Sequence, residues 1–446
     1  MNFSQLKIKN ERSKILRNNI LFSCVLKGIG LATSLLIVPI TINYLNNEVY
    51  GIWMTLTSIL FWIGAFDIGL GNGMRNFLAE TISQKKYEEG KAYITTTLVL
   101  LAGIATIAAI IGAIPMCLIN YNSVFNTLTI SNEDLRNAVL FAVFFTLFNF
   151  VVKNIGIIYI AMQKYAINDF LNILGNVISL AIIYILTQTT SGRLLYVVIA
   201  YTASGSLVYI IAGLLLFKKH PELKPSKKYF NKNLSKKLIG TGTGFFLIEI
   251  TSCIVIFGAA NIFITQFCGP AAVTTYNIAY KFFNLLVIAY TIILSPMWNA
   301  YTDAYVKGDM RWIEQTFNRA LKLWGLSVVG GCIMLAGCQI FYHLWVGEKV
   351  IVPFTVSLST LIYVCFFNLN NCVTYLINGL NKIRIQIITS LAFTALYIGI
   401  ILLLGKKLGI EGVVLSMAGS YACMSLIHLY QCRLLIKEKA KGIWNK

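Results

Sequence analysis

Charge is what this 446-residue sequence has least of: Asp, Glu, Lys and Arg make up 12% of it, against roughly 25% in a soluble domain. With 57% hydrophobic residues, much of its surface must face something other than water. Zinc-ribbon and dithiol chemistry are missing too. The ten cysteines form no CxxC pair and no metal-ligand spacing. Cys24, Cys253, Cys332 and Cys365 sit inside apolar runs, where a thiol behaves as a small hydrophobe. The three histidines are scattered, with His220 in a loop. No GxxxxGK[ST] occurs, and GTGTG (240–244) opens a membrane-length helix rather than following a strand, so ATP-driven transport within this chain is not expected. The longest outer connection, LINYNSVFNTLTISNEDLR (118–136), is too short for the outer domain of a membrane enzyme acting on extracytoplasmic sugar. MNFSQLKIKNERSKILRNN is a basic lead without a cleavage site.

What is abundant is apolar runs of membrane length, each able to cross a hydrocarbon core of about 30 Å. Twelve spans are expected, at about 19–44, 48–69, 92–117, 137–162, 165–187, 194–217, 239–266, 272–298, 320–346, 352–378, 384–405 and 411–434. The expected fold is an all-α polytopic membrane protein with two six-helix lobes. Residues 19–217 form the first lobe and 239–434 the second; 218–238 link them, and 1–18 and 435–446 are tails.

The net charge of +20 raises the possibility of nucleic acid, but its placement points to a membrane. Of the 37 Lys and Arg, 29 fall on the side of the N-terminus. Arg136, Arg193, Lys349, Lys406 and Lys407 lie opposite, and Lys27, Lys153 and Lys281 fall within spans. By the positive-inside bias both termini are cytoplasmic, and the basic loop KKHPELKPSKKYFNKNLSKK (218–237) faces anionic lipid; no nucleic-acid partner is expected. The halves resemble each other weakly. VPITINYLNNEVYGIWMTL (38–56) and ANIFITQFCGPAAVTTYNIA (260–279) share a helix end, a short outer turn and a Tyr-bearing restart. Each following helix ends in a polar connection, AETISQKKYEEGKAY or AYTDAYVKGDMRWIEQ. Six spans per half give parallel repeats, an arrangement that often places a substrate path between lobes.

Ionisable groups at membrane depth are costly and point to a cavity or relay. Lys27 and Lys153 each lie eight or nine residues from the cytoplasmic end of their spans, about 12 Å deep, and Lys281 lies in the outer part of span eight. Ser23, Lys27, Gly30 and Ser34 share one helix face, as do Asn149 and Lys153; Asn277, Lys281 and Asn284; and Asn368, Asn371, Tyr375 and Asn378. Such stripes fit a cationic cavity whose amides, donating and accepting, suit sugar hydroxyls. The alternatives are lysines that snorkel to headgroups and asparagines that only hold helices together. Glu249 is the single deep acid, a candidate for pairing with a lysine or carrying a proton. Asp169, near the start of span five, reads as a cap. FDIGLGNGMRN (66–76) closes span two with Asp67, three glycines and Arg75, either a hinge at the cytoplasmic helix ends or an interfacial turn.

The segment YGIWMTLTSILFWIGAFDIGLGNGMRNFLAE (50–80), after LLIVPITINYL, resembles the opening helices of Wzx-type O-antigen and polysaccharide flippases. These share a superfamily with multidrug-and-toxin extrusion transporters and lipid II flippases. YNIAYKFFNLL and LSPMWNAYTDAYVKGD (276–309) look like the equivalent hairpin in the second half. The resemblance implies a bacterial inner-membrane protein, not an enzyme. It would carry undecaprenyl-diphosphate-linked oligosaccharide outward by alternating access, with Lys27, Lys153 and Lys281 receiving the diphosphate. The asparagines and Tyr375 would serve the sugar on the strength of the stripe alone. No cofactor is implied; a proton or sodium ion is the candidate coupling ion, and Glu249, Asp67 and Arg75 are the candidate coupling or gating residues. Beyond the lipid-linked oligosaccharide and membrane lipids, a polysaccharide polymerase and a chain-length regulator are the candidate partners. A multidrug antiporter would favour acids in its cavity, and a polymerase or ligase would need a larger outer loop.

Overall fold

The computed structural model describes residues 25–65, 70–236, 238 and 255–445. Ser23, Asp67, Glu249 and the GTGTG stretch lie outside them. Among the described residues regular structure is helical. Ten helices are long and apolar enough to cross a membrane. Two more, α2 (Asn47–Ala65) and α10 (Val255–Cys268), stand where the second and seventh spans are expected.

Two compact units divide the chain. The first draws on residues up to Asn46, on Leu60–Asn122 and on Leu128–Leu247; the second takes Asn47–Ile59, Ser123–Thr127 and Ile248 onward. The first half of α2 is therefore counted with the C-terminal helices.

In the N-terminal unit α1 is Val25–Leu45. It is followed by α3 (Leu70–Ser83), α4 (Tyr87–Leu118), α6 (Asn132–Val152), α7 (Asn154–Ala161), α8 (Tyr165–Thr189) and α9 (Leu194–Lys219), while the short α5 (Tyr121–Phe125) spans the boundary between the two sets of residues. Ser131 caps α6, its hydroxyl accepting from the Asp134 amide at 3.1 Å. Leu70, Met74, Leu78, Tyr93, Phe150 and Tyr209 belong to one buried cluster. Tyr44 ties the end of α1 to the α8–α9 turn, its hydroxyl 2.8 Å from Thr190 Oγ1 and donating to Ser191 O at 3.0 Å.

Two details are added here to the sequence reading. Span four is present as one membrane-length stretch, Asn132–Ala161, in which the single residue Lys153 separates α6 from α7 while keeping helical φ and ψ and donating its N–H to Asn149 O. The basic loop has structure of its own. It folds into two single-turn helices, Pro221–Leu223 and Lys227–Tyr229, and docks on α4. Leu223 is buried in the core, Ser226 and Asn231 donate backbone N–H groups to Thr95 and Thr96, and Lys91 lies over the Tyr229 ring. Glu222 sits in this loop. Its own backbone amide and then His220, at 3.0 Å, hold its carboxyl below the usual range.

The C-terminal unit contains α10, α11 (Pro270–Val306), α12 (Met310–Val346) and α13 (Phe354–Gly379). It closes with α14 (Arg384–Leu403) and α15 (Gly409–Ile436). The chain turns between the last two at Gly409, whose φ of 65° suits a residue without Cβ. Pro270 opens α11 after Gly269, where φ is 85°. The polar stretch 300–315, expected as a connection, is mostly helix: α11 runs to Val306 and α12 starts at Met310. Asp309 caps α12 through the Trp312 amide. Helix α13 is the most buried membrane-length helix of this unit, packed by α11, α12, α14 and α15. It meets α11 closely at Gly379, where a methyl would lie 2.8 Å from Tyr301 Cβ and 3.1 Å from Trp298 O.

Candidate functional site

The expected substrate groups fall into separate sets. In the N-terminal unit Lys27 and Ser34 are exposed on α1, and Gly30 between them packs on Ile173 of α8. Asn149 is half-buried on α6; its Oδ1 is inaccessible and has no hydrogen-bond partner. Lys153 stands at the α6–α7 junction, half-buried, its ammonium 5.8 Å from the centre of the Phe150 ring. The helix tightens there without losing its bonds: the Lys153 N–H donates to Asn149 O and its carbonyl accepts from the Gly156 N–H, both at 2.9 Å. Beside it Asn154 is fully buried; it donates to Phe150 O at 2.9 Å, while its Oδ1 has no partner.

Polar groups that sequence reasoning missed continue from there. Tyr209 on α9 donates to Asn172 Oδ1 at 2.8 Å, and Asn172 donates to Asn168 O at 3.2 Å. Gly156 of α7 leaves room for Asn168, whose Oδ1 would lie 2.1 Å from a methyl there. The spacing of Asn168 and Asn172 gave a signal; the tyrosine that reaches them from another helix gave none. Asp169 is partly buried on the same helix.

In the C-terminal unit Asn277 is committed to helix packing. Its amide donates to Asn261 Oδ1 at 2.9 Å and to Val273 O at 2.8 Å. Asn261 in turn donates to Ser58 Oγ at 2.9 Å, and Thr55 meets Thr265 at 2.6 Å. These bonds join α2, α10 and α11. Lys281 lies one turn beyond Asn277 and is half-buried, as is Asn284. The α13 stripe divides: Asn368 is 1% exposed, whereas Asn371, Tyr375 and Asn378 are half-buried, with Tyr375 edge-on to Trp298 at 5.8 Å. Asn370, His428 and Thr389, also missed, form a fully internal set among α13, α15 and α14.

Three ion pairs occur among the described residues: Arg136–Glu133, His220–Glu222 and Lys307–Asp303. None involves Lys27, Lys153 or Lys281, so no described carboxylate neutralises these cations. Arg75 is exposed near the start of α3. Gly71 and Gly73 are part of that helix and buried, so the glycines of the FDIGLGNGMRN stretch are helical in their described part. No group of three or more His, Cys, Asp or Glu that could hold a metal exists among the described residues.

Residues 16–298 match the model of the family described as polysaccharide biosynthesis protein. A Salmonella typhimurium protein assigned as an O-antigen transporter is 27% identical over 329 residues, covering 72% of this chain and 70% of that protein. A Yersinia pseudotuberculosis protein assigned to O-antigen export is 25% identical over 279 residues, covering 60% and 61%. Among solved structures, an inward-facing multidrug resistance MATE family transporter of the MOP superfamily superposes with a TM-score of 0.74 at 14% identity, over 94% of this chain and 98% of that one. A MOP superfamily transporter from Pyrococcus furiosus gives 0.63 at 14% identity, over 95% and 96%. At that identity the likeness concerns fold.

Proposed function

The chain belongs to the polysaccharide biosynthesis protein family, and from that premise we propose that it is a flippase for lipid-linked oligosaccharide. The observation that carries the reading is the family match, together with similarity to Salmonella and Yersinia proteins named for O-antigen transport and export. These relatives are transporters, and no enzyme activity is assigned.

The physics of the task supports the reading. A diphosphate with several sugars cannot enter hydrocarbon without losing its water. Substitute partners must be cations and amides held along the path, while the lipid tail stays in the bilayer. Lys27, Lys153 and Lys281, with no described acid beside them, have the sign needed for a diphosphate. The half-buried Asn149, Asn284, Asn371, Tyr375 and Asn378 offer hydroxyl-binding groups. Asn277 bonds Asn261 and acts in packing, while Asn368 is buried with its Oδ1 unpartnered among the described residues.

The same proposal covers the finer points. The substrate is undecaprenyl-diphosphate-linked. The membrane is the bacterial inner membrane with both termini cytoplasmic, and the two lobes 19–217 and 239–434 alternate access. A proton or sodium ion supplies coupling, and a polymerase and chain-length regulator receive the product. Deleting the gene in its native host and measuring lipid-linked oligosaccharide on each leaflet tests the core of it. The expected outcome is accumulation of complete oligosaccharide on the cytoplasmic leaflet. Wild type should clear it, and Lys27→Ala, Lys153→Ala and Lys281→Ala should express yet clear it poorly. Fully active alanine variants would remove the cationic site. Single units that reach the outer leaflet unpolymerised would favour a polymerase.

A further inference from the structure

His428 is wholly internal to the C-terminal unit, 0% exposed, and held from two sides. Its Nδ1 lies 3.2 Å from Asn370 Oδ1 on α13, and its Nε2 lies 2.8 Å from Thr389 Oγ1 on α14. The two partners differ in kind. A carbonyl oxygen only accepts, so Nδ1 carries a hydrogen. A hydroxyl both donates and accepts. With neutral imidazole, Thr389 donates to Nε2. With imidazolium, Nε2–H donates to Thr389, whose own hydrogen turns to Ile385 O at 2.9 Å or Gln386 O at 3.1 Å. Both protonation states thus keep every hydrogen bond, and one hydroxyl rotation separates them.

A row of buried polar groups lies on the same helix as Thr389. Gln386, Ser390 and Thr394 recur every four residues on α14, and Tyr397 extends the same face. Gln386 Oε1, Ser390 Oγ, Thr394 Oγ1 and the Tyr397 hydroxyl are all inaccessible and have no hydrogen-bond partner among the described residues. Buried polar groups in a row are what a file of water needs. The row covers twelve residues, or about 16 Å of helix.

Among the described residues no carboxylate is placed against His428, and Glu249 lies outside them. Helices α13 and α14 contain no carboxylate, and Glu411 on α15 lies seventeen residues away. Arg384 and Arg433, and Arg319 and Lys322 on α12, are exposed. Cys372 and Cys432 are buried, and the Cys432 thiol donates to Val373 O.

We propose that His428, clamped between Asn370 and Thr389, is a proton-binding site through which this unit couples transport to a proton gradient. The coupling part rests on the flippase reading; the proton site does not. The chain has only three histidines, so ¹⁵N-histidine NMR of the full protein in lipid bilayers resolves them, with His220→Gln and His343→Gln for assignment. The expected result is a His428 signal of the Nδ1–H tautomer that converts reversibly to imidazolium within a titration from about pH 8 to about pH 4. Thr389→Ser should retain the conversion, and Thr389→Val, which keeps the shape but not the hydroxyl, should lose it. In cells, collapse of the pH gradient with nigericin should slow clearance of lipid-linked oligosaccharide in wild type and Thr389→Ser. It should have no effect in His428→Gln and Thr389→Val. A His428 that stays neutral over the whole range, or variants as nigericin-sensitive as wild type, overturns the proposal. Normal NMR conversion in a protein that clears no oligosaccharide overturns the flippase reading instead and leaves the proton site standing.

Discussion

Gly51 offers the sharpest test of the structure, because its neighbour is backbone. A methyl built there would lie 1.7 Å from Pro270 O, 2.5 Å from Pro270 C and 3.1 Å from Thr274 Oγ1. No rotamer change can relieve contact with a carbonyl. Thr274 is itself fixed, donating to Asn47 O at 2.7 Å, so Gly51→Ala must push α2 away from the start of α11. Overpacking of this kind costs about 1–3 kcal/mol or more. Replacing a mid-helix glycine by alanine otherwise contributes about 0.5–1 kcal/mol of stability. The net loss is therefore about 1–2 kcal/mol, with the steric term winning. For a unit of roughly 200 residues that lowers the melting midpoint by about 2–4 °C per kcal/mol. The buried free thiols of Cys338, Cys372 and Cys432 supply the readout: after exposed thiols are blocked, a fluorogenic maleimide reports their exposure on heating in detergent. Gly103→Ala is the control, since nothing lies within 4 Å of its would-be methyl. If Gly51→Ala melts with Gly103→Ala, at or above wild type, α2 and α11 do not approach as described.

Asn261→Ala removes the amide that joins Ser58 to Asn277, at a cost of about 0.6–2 kcal/mol. It should lower the thiol-exposure midpoint while leaving residual export proportional to folded protein. A total loss of export at normal stability would instead make Asn261 a substrate contact. Glu222 should matter to the docked loop in a pH-dependent way. A carboxyl held below its usual range stabilises the fold above the unfolded value, and that contribution is lost as pH falls through the lowered one. Hydrogen-exchange protection of residues 221–231, taken relative to the intrinsic rate at each pH, should therefore be high near neutrality and fall below about pH 4, and Glu222→Gln should abolish the acid step. An unchanged step in that variant would assign it to another group.

The parts of this molecule that were legible in sequence are those fixed by period and length. Apolar runs located the spans because a helix is the economical way to satisfy backbone groups in lipid. The stripe at Asn371, Tyr375 and Asn378 is indeed a half-buried face of α13. What sequence could not settle is what faces what. Asn277 and Tyr375 occupy similar positions in their stripes, yet one bonds Asn261 and the other stands edge-on to Trp298. The difference lies in residues sixteen and seventy-seven positions away. The Tyr50–Gly51 pair that carried the family resemblance shows the same limit from the other side. Read as a family mark it says nothing mechanical, but the approach to the Pro270 carbonyl gives the glycine a steric reason. The α6–α7 junction was the other blind spot. Span four reads as one apolar run, yet its backbone tightens at Lys153, whose carbonyl accepts from the Gly156 N–H at 2.9 Å. A one-residue departure from the α-helical bonding pattern leaves the apolar period unchanged, so hydropathy passes over it.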